Sequence, residues 1–130
     1  MASIRISLLQ QVLRLVLGAA IAALVSLPAS AHHGWAWAEE ANSELSGLIT
    51  AVKLGNPHGE LKLDANGETW IVEVGQPWRN ERAGLKDEML VKGVKLKVVG
   101  HRHADPAKKV FKAERVFIDG RKFDLYPDRD

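Results

Sequence analysis

Two consecutive histidines, His32 and His33, follow a motif typical of signal peptidase cleavage. The motif is Ala29-Ser30-Ala31, with a small residue at its first and third positions. Cleavage after Ala31 would leave a free α-amino group on His32, with the imidazole of His33 next along the chain. An amine and two imidazoles are nitrogen donors of the kind that Cu(II) prefers. The pair is therefore a candidate metal site, and copper is the candidate cofactor.

Two chelate geometries are open to this terminus. His32 can bind through its α-amine and its own Nδ1, or His33 can bind through the amine, the intervening deprotonated amide and its imidazole. The unperturbed pKa values of an α-amine and an imidazole are about 8 and about 6.5, so neither group is costly to deprotonate at neutral pH. The alternative is a polar pair at the start of an exported chain, without a ligand.

A third candidate ligand is His58, in the turn sequence Asn56-Pro57-His58-Gly59. This turn connects the first two predicted strands, so the ring is expected at the barrel mouth, where small barrels bind ligands. With His32 it would complete an arrangement of two imidazoles and one amine, the histidine brace. A turn histidine held by an ordinary hydrogen bond is the competing interpretation.

Three further residues are candidates for a secondary metal or ligand contact: His101, His103 and Trp35. The two histidines are separated by one residue and share a face if the segment is a strand. We interpret this segment as solvated strand-end surface. Trp35 and Trp37 are expected to clamp the lead-in onto the domain, and Trp35 could instead cover a cation with its ring face.

The first 31 residues are predicted to be a cleaved signal helix. Arg5 and Arg14 are basic, and the segment from Leu13 to Leu27 is apolar but short for a membrane span of about 20 residues. Export to the periplasm follows, with no membrane association after cleavage. The chain contains no cysteine, which excludes disulfides and thiolate metal sites.

Charge and motifs exclude several functions. The sequence has 18 Lys and Arg against 16 Asp and Glu. Since Arg5 and Arg14 account for the excess, the exported chain is neutral and has no net positive charge to attract nucleic acid.

Ser43 and Ser46 stand in no triad motif, and the carboxylates and lysines look like solvated surface. We predict a protein without catalytic residues.

Short alternating runs dominate the exported chain. We divide it into a lead-in at 32–43, a β-domain at 44–126 and a charged tail at 127–130 that is expected to be frayed. Leu48, Val52 and Leu54 are predicted to form the buried face of a first strand. Further strands are expected around Leu61, Trp70 and Leu96 and at 110–118 and 121–125, with a hairpin turn at Asn66-Gly67.

One short helix is predicted from Gln76 to Ala83, between the third and fourth strands, with Gly84 just beyond it. Trp70 is assigned to the core and Trp78 to a contact between the helix and the barrel. The order of elements predicts a mainly β fold, a small OB-like barrel of five to six antiparallel strands. An open antiparallel sandwich is the rival.

The pattern resembles domain-of-unknown-function family 6152, a group of small exported bacterial proteins. The resemblance rests on Ala31-His32-His33-Gly34-Trp35, the run from Ser46 to Val52 leading to Asn56-Pro57-His58, and Trp70-Ile71-Val72-Glu73 with Gly75. It implies export and a small β-domain but no activity. A looser likeness is to OB-fold periplasmic copper-binding proteins. Those hold Cu(I) through methionine sulfur, and Met89 is the only methionine after the leader.

Two functions follow as expectations. The first is an exported protein that binds Cu(II) or a similar divalent ion through His32, His33 and His58. The second is a metal-independent periplasmic module that binds a small ligand or a protein partner.

Overall fold

A computed structural model describes residues 35–129 as six strands, one α-helix and a 3-10 turn. The predicted signal helix, His32 and His33 lie outside the described residues. The elements are β1 (Ser43–Lys53), β2 (Glu60–Ala65), β3 (Glu68–Glu73), α1 (Pro77–Arg82), the 3-10 turn (Asp87–Met89), β4 (Lys95–Arg102), β5 (Val110–Ile118) and β6 (Arg121–Asp124).

Five of the strands close into a barrel. The long strand β1 pairs with β4 through its first half and with β2 through its second half. The hairpin continues from β2 to β3, and β3 closes the ring by pairing with β5, which also pairs with β4. The sixth strand, β6, adds to the outer side of β5. The predicted mainly β barrel with one short helix is confirmed.

One aspect of that prediction is wrong, because the sheet is mixed and not wholly antiparallel. The pair β3–β5 is parallel, with Val72 opposite Phe111. A closed ring of five strands cannot alternate direction throughout, since five is odd. At least one neighbouring pair must therefore be parallel.

The β2–β3 hairpin has the predicted turn. Asn66 and Gly67 have φ angles of 55° and 81°, and positive φ at both central residues defines a type I′ turn. The Asp64 side chain accepts a hydrogen bond from the Gly67 amide at 3.0 Å. This turn sets the register that places Leu63 opposite Trp70 in the core.

The first strand buries the face opposite to the one predicted. Leu45 and Ile49 are buried, whereas Leu48 and Val52 are 49% and 38% exposed. The strand changes partner from β4 to β2 near Leu48 and has a register shift after Ile49, so alternation cannot be extrapolated along its length.

Helix α1 runs from Pro77 to Arg82, one residue inside the predicted bounds at each end, and Leu85 packs into the core just after it. Trp78, which is predicted to contact the barrel, is 51% exposed. Asn80 makes the connection: its buried amide donates to the Gly75 carbonyl at 3.1 Å and accepts from the Gly75 amide at 2.9 Å. These hydrogen bonds tie the helix to the segment that follows β3.

The barrel interior is a single apolar core that includes Trp70, as predicted. Its fully buried side chains include Leu63, Val72, Leu96 and Phe111. Between residues 35 and 129, none of the helices has the length and apolar character needed to cross a bilayer.

Candidate functional site

Strand β5 is buried on both of its faces. Phe111 and Ala113 fill the barrel core, so Lys112 faces the opposite side. Lys112 and Glu114 are nevertheless only 6% and 1% exposed. We call His101, Lys112 and Glu114, together with the half-buried Glu73 and Arg129, the buried charge cluster. Its burial means that other parts of the chain cover this side of the sheet.

His101 is held through both of its ring nitrogens. Nδ1 lies 2.7 Å from the carbonyl oxygen of Glu39, and Nε2 lies 2.8 Å from Oε1 of Glu114. A carbonyl oxygen only accepts, so Nδ1 donates, and a hydrogen bond at Nε2 then needs a second proton shared between imidazole and carboxylate. The interpretation of His101 as solvated strand-end surface is therefore wrong. The lead-in crosses over the ring and buries it.

Glu114 is the common acceptor of the cluster. Its Oε1 also accepts a hydrogen bond from Nε of Arg129 at 2.9 Å, and Nη1 of Arg115 lies 3.6 Å from Oε2. Oε2 has no hydrogen-bond partner of its own. A carboxylate this deeply buried depends on such cationic donors, because they replace the water that it has lost.

The tail was predicted to be frayed, but at Arg129 it is anchored. The Arg129 carbonyl accepts a hydrogen bond from Nη2 of Arg115 at 2.6 Å, and its amide donates to the Tyr126 carbonyl at 3.0 Å. With the side chain of Arg129 on Glu114, two of these contacts hold the segment to β5, and the third joins it to Tyr126. Arg129 is therefore held by specific partners, whereas Asp128 beside it is exposed.

Trp35 covers the cluster. Its ring meets His101 and Tyr126 edge to face, with centroid separations of 5.5 and 5.0 Å, and the Arg129 guanidinium lies 4.1 Å from its centroid. Trp37 stacks on His103 at 5.2 Å. The predicted clamp of the lead-in on the barrel is confirmed. The cation over the Trp35 ring belongs to the protein itself.

Glu73 extends the cluster to His58. Its Oε2 lies 3.4 Å from Nζ of Lys112, and its Oε1 lies 3.7 Å from Nε2 of His58. Nζ of Lys112 is in turn 5.5 Å from the Trp35 ring centroid. A continuous series of contacts therefore runs from Trp35, through Lys112 and Glu73, to the turn between β1 and β2.

Burial shifts two ionisable groups at this site. Desolvation lowers the pKa of Lys112 from its usual 10.5, and the neighbouring Glu73 carboxylate opposes this shift. Desolvation also raises the pKa of Tyr126 from its usual 10.0, against the attraction of Arg79 and Arg129 for a phenolate. Both shifts follow from the burial of these side chains beside Trp35.

The candidate ligands are not gathered in one place within the described chain. Residues 35–129 contain no group of three or more His, Asp or Glu side chains arranged to hold a metal ion. His58 lies beside Glu73. His103 accepts a hydrogen bond from the Asp105 amide through Nδ1 at 2.9 Å. A metal at His101 would have to displace Glu39 or Glu114.

Sequence reasoning missed the charged members of the site. Lys112, Glu114 and Arg129 were interpreted as solvated because each stands among other charged residues. The available signal was weaker: alternation in β5 places Lys112 beside His101 in the neighbouring strand, and two tryptophans precede the barrel. That pattern suggests an aromatic cover over a polar patch but does not identify its partners.

Comparison with known proteins gives one family and a distant structural likeness. The family model described as "Family of unknown function (DUF6152)" matches residues 20–111. No curated protein matches the chain. Among solved structures, a crystal structure of the ZRD-deleted mutant of TiaS in complex with agmatine is similar with a TM-score of 0.48 and 15% identity, covering 65% of this chain and 26% of that one.

Proposed function

We propose that this chain, which belongs to the DUF6152 family, is an exported periplasmic protein that binds Cu(II) or a similar divalent ion at its mature N terminus. His32 supplies its α-amine and ring, and His33 and His58 supply the further nitrogens. The role is carriage or sequestration of the metal, without catalysis.

The observation that carries the proposal is the series of contacts between Trp35 and His58. Nζ of Lys112 lies 5.5 Å from the centroid of the Trp35 ring and 3.4 Å from Oε2 of Glu73. The other carboxylate oxygen of Glu73, Oε1, lies 3.7 Å from Nε2 of His58. The start of the described lead-in is thus linked to the third candidate ligand through two side chains.

Only a short segment of chain separates the proposed terminus from the clamped lead-in. His32 stands three residues before Trp35, and an extended chain spans at most about 3.6 Å per residue. The terminus therefore has a reach of about 10 Å from the fixed tryptophan.

The available donor atoms favour Cu(II) over softer ions. The chain has no cysteine, and Met89 is the only thioether after the leader. Nitrogen donors suit Cu(II), which also stands highest in the divalent affinity series, whereas Cu(I) prefers sulfur.

The test is calorimetric titration of Cu(II) into two forms of the protein. One begins at His32 and the other retains Ala31, which moves the free amine away from the His32 ring. We expect the extended form to bind at least about tenfold more weakly, as for loss of a supporting group at a metal site. Equal affinities would contradict the proposal.

A second candidate is a metal-independent module for a small ligand or protein partner. It is favoured by a shallow groove of about 140 Å³ on β1, β2 and β3 that is lined in part by the exposed Val52 and Ile71. Ligand-induced NMR shifts confined to this groove, in protein free of metal, would support it. Shifts confined to the lead-in and the Pro57–Gly59 turn would exclude it.

A further inference from the structure

We propose that the free edge of β6 is an interface through which two copies of this chain pair, with their β6 strands antiparallel and Phe123 opposite Phe123. In the described sheet the strand order is β3-β2-β1-β4-β5-β6, so β6 pairs with β5 on one side only. Arg121 and Lys122 at this edge are exposed. Such a dimer needs no metal ion, so it is independent of the proposed function.

The hairpin between β5 and β6 determines which backbone groups face this edge. Its turn residues, Asp119 and Gly120, have φ angles of 50° and 77°, as in a two-residue type I′ turn. Such a turn is closed by a hydrogen-bonded pair, which here is Ile118 and Arg121. Hydrogen-bonded and non-hydrogen-bonded pairs alternate along an antiparallel ladder, so the turn fixes the direction of every backbone group in β6.

Lys122 and Asp124 are the residues of β6 that stand in non-hydrogen-bonded pairs with β5. Their amide and carbonyl groups therefore point away from β5. The hydrogen bond from the Leu125 amide to the Glu114 carbonyl, at 2.8 Å, agrees with this alternation. Within residues 35–129 no strand lies beyond this edge to receive these groups. Unpaired edge groups of this kind are a template for a strand from another chain.

Charge selects a second copy as the occupant of this edge. A lysine on an edge strand opposes pairing with strands that offer it no partner. In an antiparallel pair centred on Phe123, Lys122 of each copy lies opposite Asp124 of the other, and all the outward backbone groups of both strands are used. Opposite charges on directly opposed residues attract, and two-fold symmetry makes this contact twice.

Both side chains have capacity for this contact. Lys122 is exposed and forms no ion pair within residues 35–129. Asp124 pairs through Oδ2 with Nε of Arg115 at 3.4 Å, whereas its Oδ1 is buried without a hydrogen-bond partner. A buried oxygen in this state calls for a donor, and the register brings an ammonium group next to this carboxylate.

The first experiment is sedimentation velocity of the secreted protein over a range of concentrations. We expect a reversible monomer–dimer equilibrium in the wild type. Lys122→Glu places like charges opposite each other at both symmetry-related positions, so dimerisation should weaken at least about tenfold. Lys108→Glu makes the same change in net charge on the exposed loop before β5. It is the matched control and should dimerise like the wild type.

Two further variants test the register and the edge itself. Asp124→Lys alone should also weaken the dimer, but mixing it with Lys122→Glu should restore association, because each strand then carries the charge that its partner lacks. Lys122→Pro removes an outward amide and no amide that pairs with β5, so it should weaken the dimer while the fold is retained. Circular dichroism checks that each variant is folded.

Amide hydrogen exchange measured by NMR locates the interface. In the wild-type dimer the amides of Lys122 and Asp124 should exchange slowly and become fast on dilution. The Phe123 amide, which faces β5, should stay protected under both conditions. A wild type that stays monomeric at the concentrations used for NMR, a dimer that Lys122→Glu leaves unchanged, or folded charge variants whose mixture fails to associate would overturn the proposal.

Discussion

Glu114 shows how a single buried carboxylate can organise the surface of a small barrel. It is 1% exposed and is approached by His101, Arg115 and Arg129. Burying a carboxylate with its cationic partners contributes little net stability, because the cost of desolvating the charges offsets their attraction. Removing one partner is different, since it leaves the remaining charges buried without compensation.

We therefore expect Glu114→Gln to lower the free energy of unfolding by about 3 kcal/mol. The amide keeps the shape of the side chain but cannot balance the cations around it. Urea unfolding at neutral pH measures the loss. The control is Glu68→Gln in the exposed pair with Lys109, where the change should stay below about 1 kcal/mol. Equal losses in the two variants would contradict the assigned role of Glu114.

Tyr126 allows burial beside Trp35 to be measured directly, because it is the only tyrosine in the chain. Burial raises its pKa above 10.0, so the near-ultraviolet phenolate absorbance of the native protein should titrate above that pH. In denaturant the midpoint should return to about 10. A native midpoint at or below that of the unfolded chain would show that the phenol is hydrated.

The same shift predicts how stability depends on pH. Below pH 10 Tyr126 is protonated in both states and changes nothing. Above it, the unfolded chain ionises first, so stability falls as pH rises from 10.0 towards the native pKa. Tyr126→Phe should remove this component, so that unfolding measured on both sides of pH 10 shows a smaller alkaline loss than in the wild type.

At the scale of elements, the lead-in and the tail form one interlocked cover. Trp35 lies between the Tyr126 ring and the Arg129 guanidinium, and the lead-in backbone at Glu39 accepts a hydrogen bond from His101. Neither segment is part of the barrel. Each gains its position from the other and from the outer side of β4 and β5.

Truncation after Tyr126 tests this interlock. Loss of Arg129 removes a hydrogen bond from the buried Glu114 and the cation from the Trp35 ring, so we expect destabilisation by about 1–3 kcal/mol together with a change in tryptophan fluorescence. Asp128→Asn, at an exposed position of the tail, is the control and should leave both measurements unchanged. An unaltered truncated protein would show that the tail contacts are incidental.

The elements also show where sequence reasoning succeeds. Strand β5 runs from Val110 to Ile118 as predicted, and the Asn66-Gly67 turn has its expected conformation, since both depend on local pattern and backbone preference. The face of β1 could not be predicted in the same way. Its register shift and change of partner depend on strands far away in the sequence.

At the scale of the whole molecule, the barrel could be anticipated because turn signals and alternation repeat along the chain. The charge cluster could not be, since nothing local in Lys112 or Glu114 shows that Trp35 and Arg129 will cover them. Long-range contacts decide which polar residues are buried. For the same reason the burial of His101 was not predicted from the sequence. The position of His58 relative to the terminus stays a prediction.

The central claim is that the finished protein begins at His32 and holds a metal ion there. Native mass spectrometry of the protein secreted by its own host tests both parts together. We predict the mass of residues 32–130 plus one copper ion, with the ion lost when the terminal amine is acetylated. A chain that begins at another residue, or one that begins at His32 and binds no copper even when copper is supplied, would contradict the account.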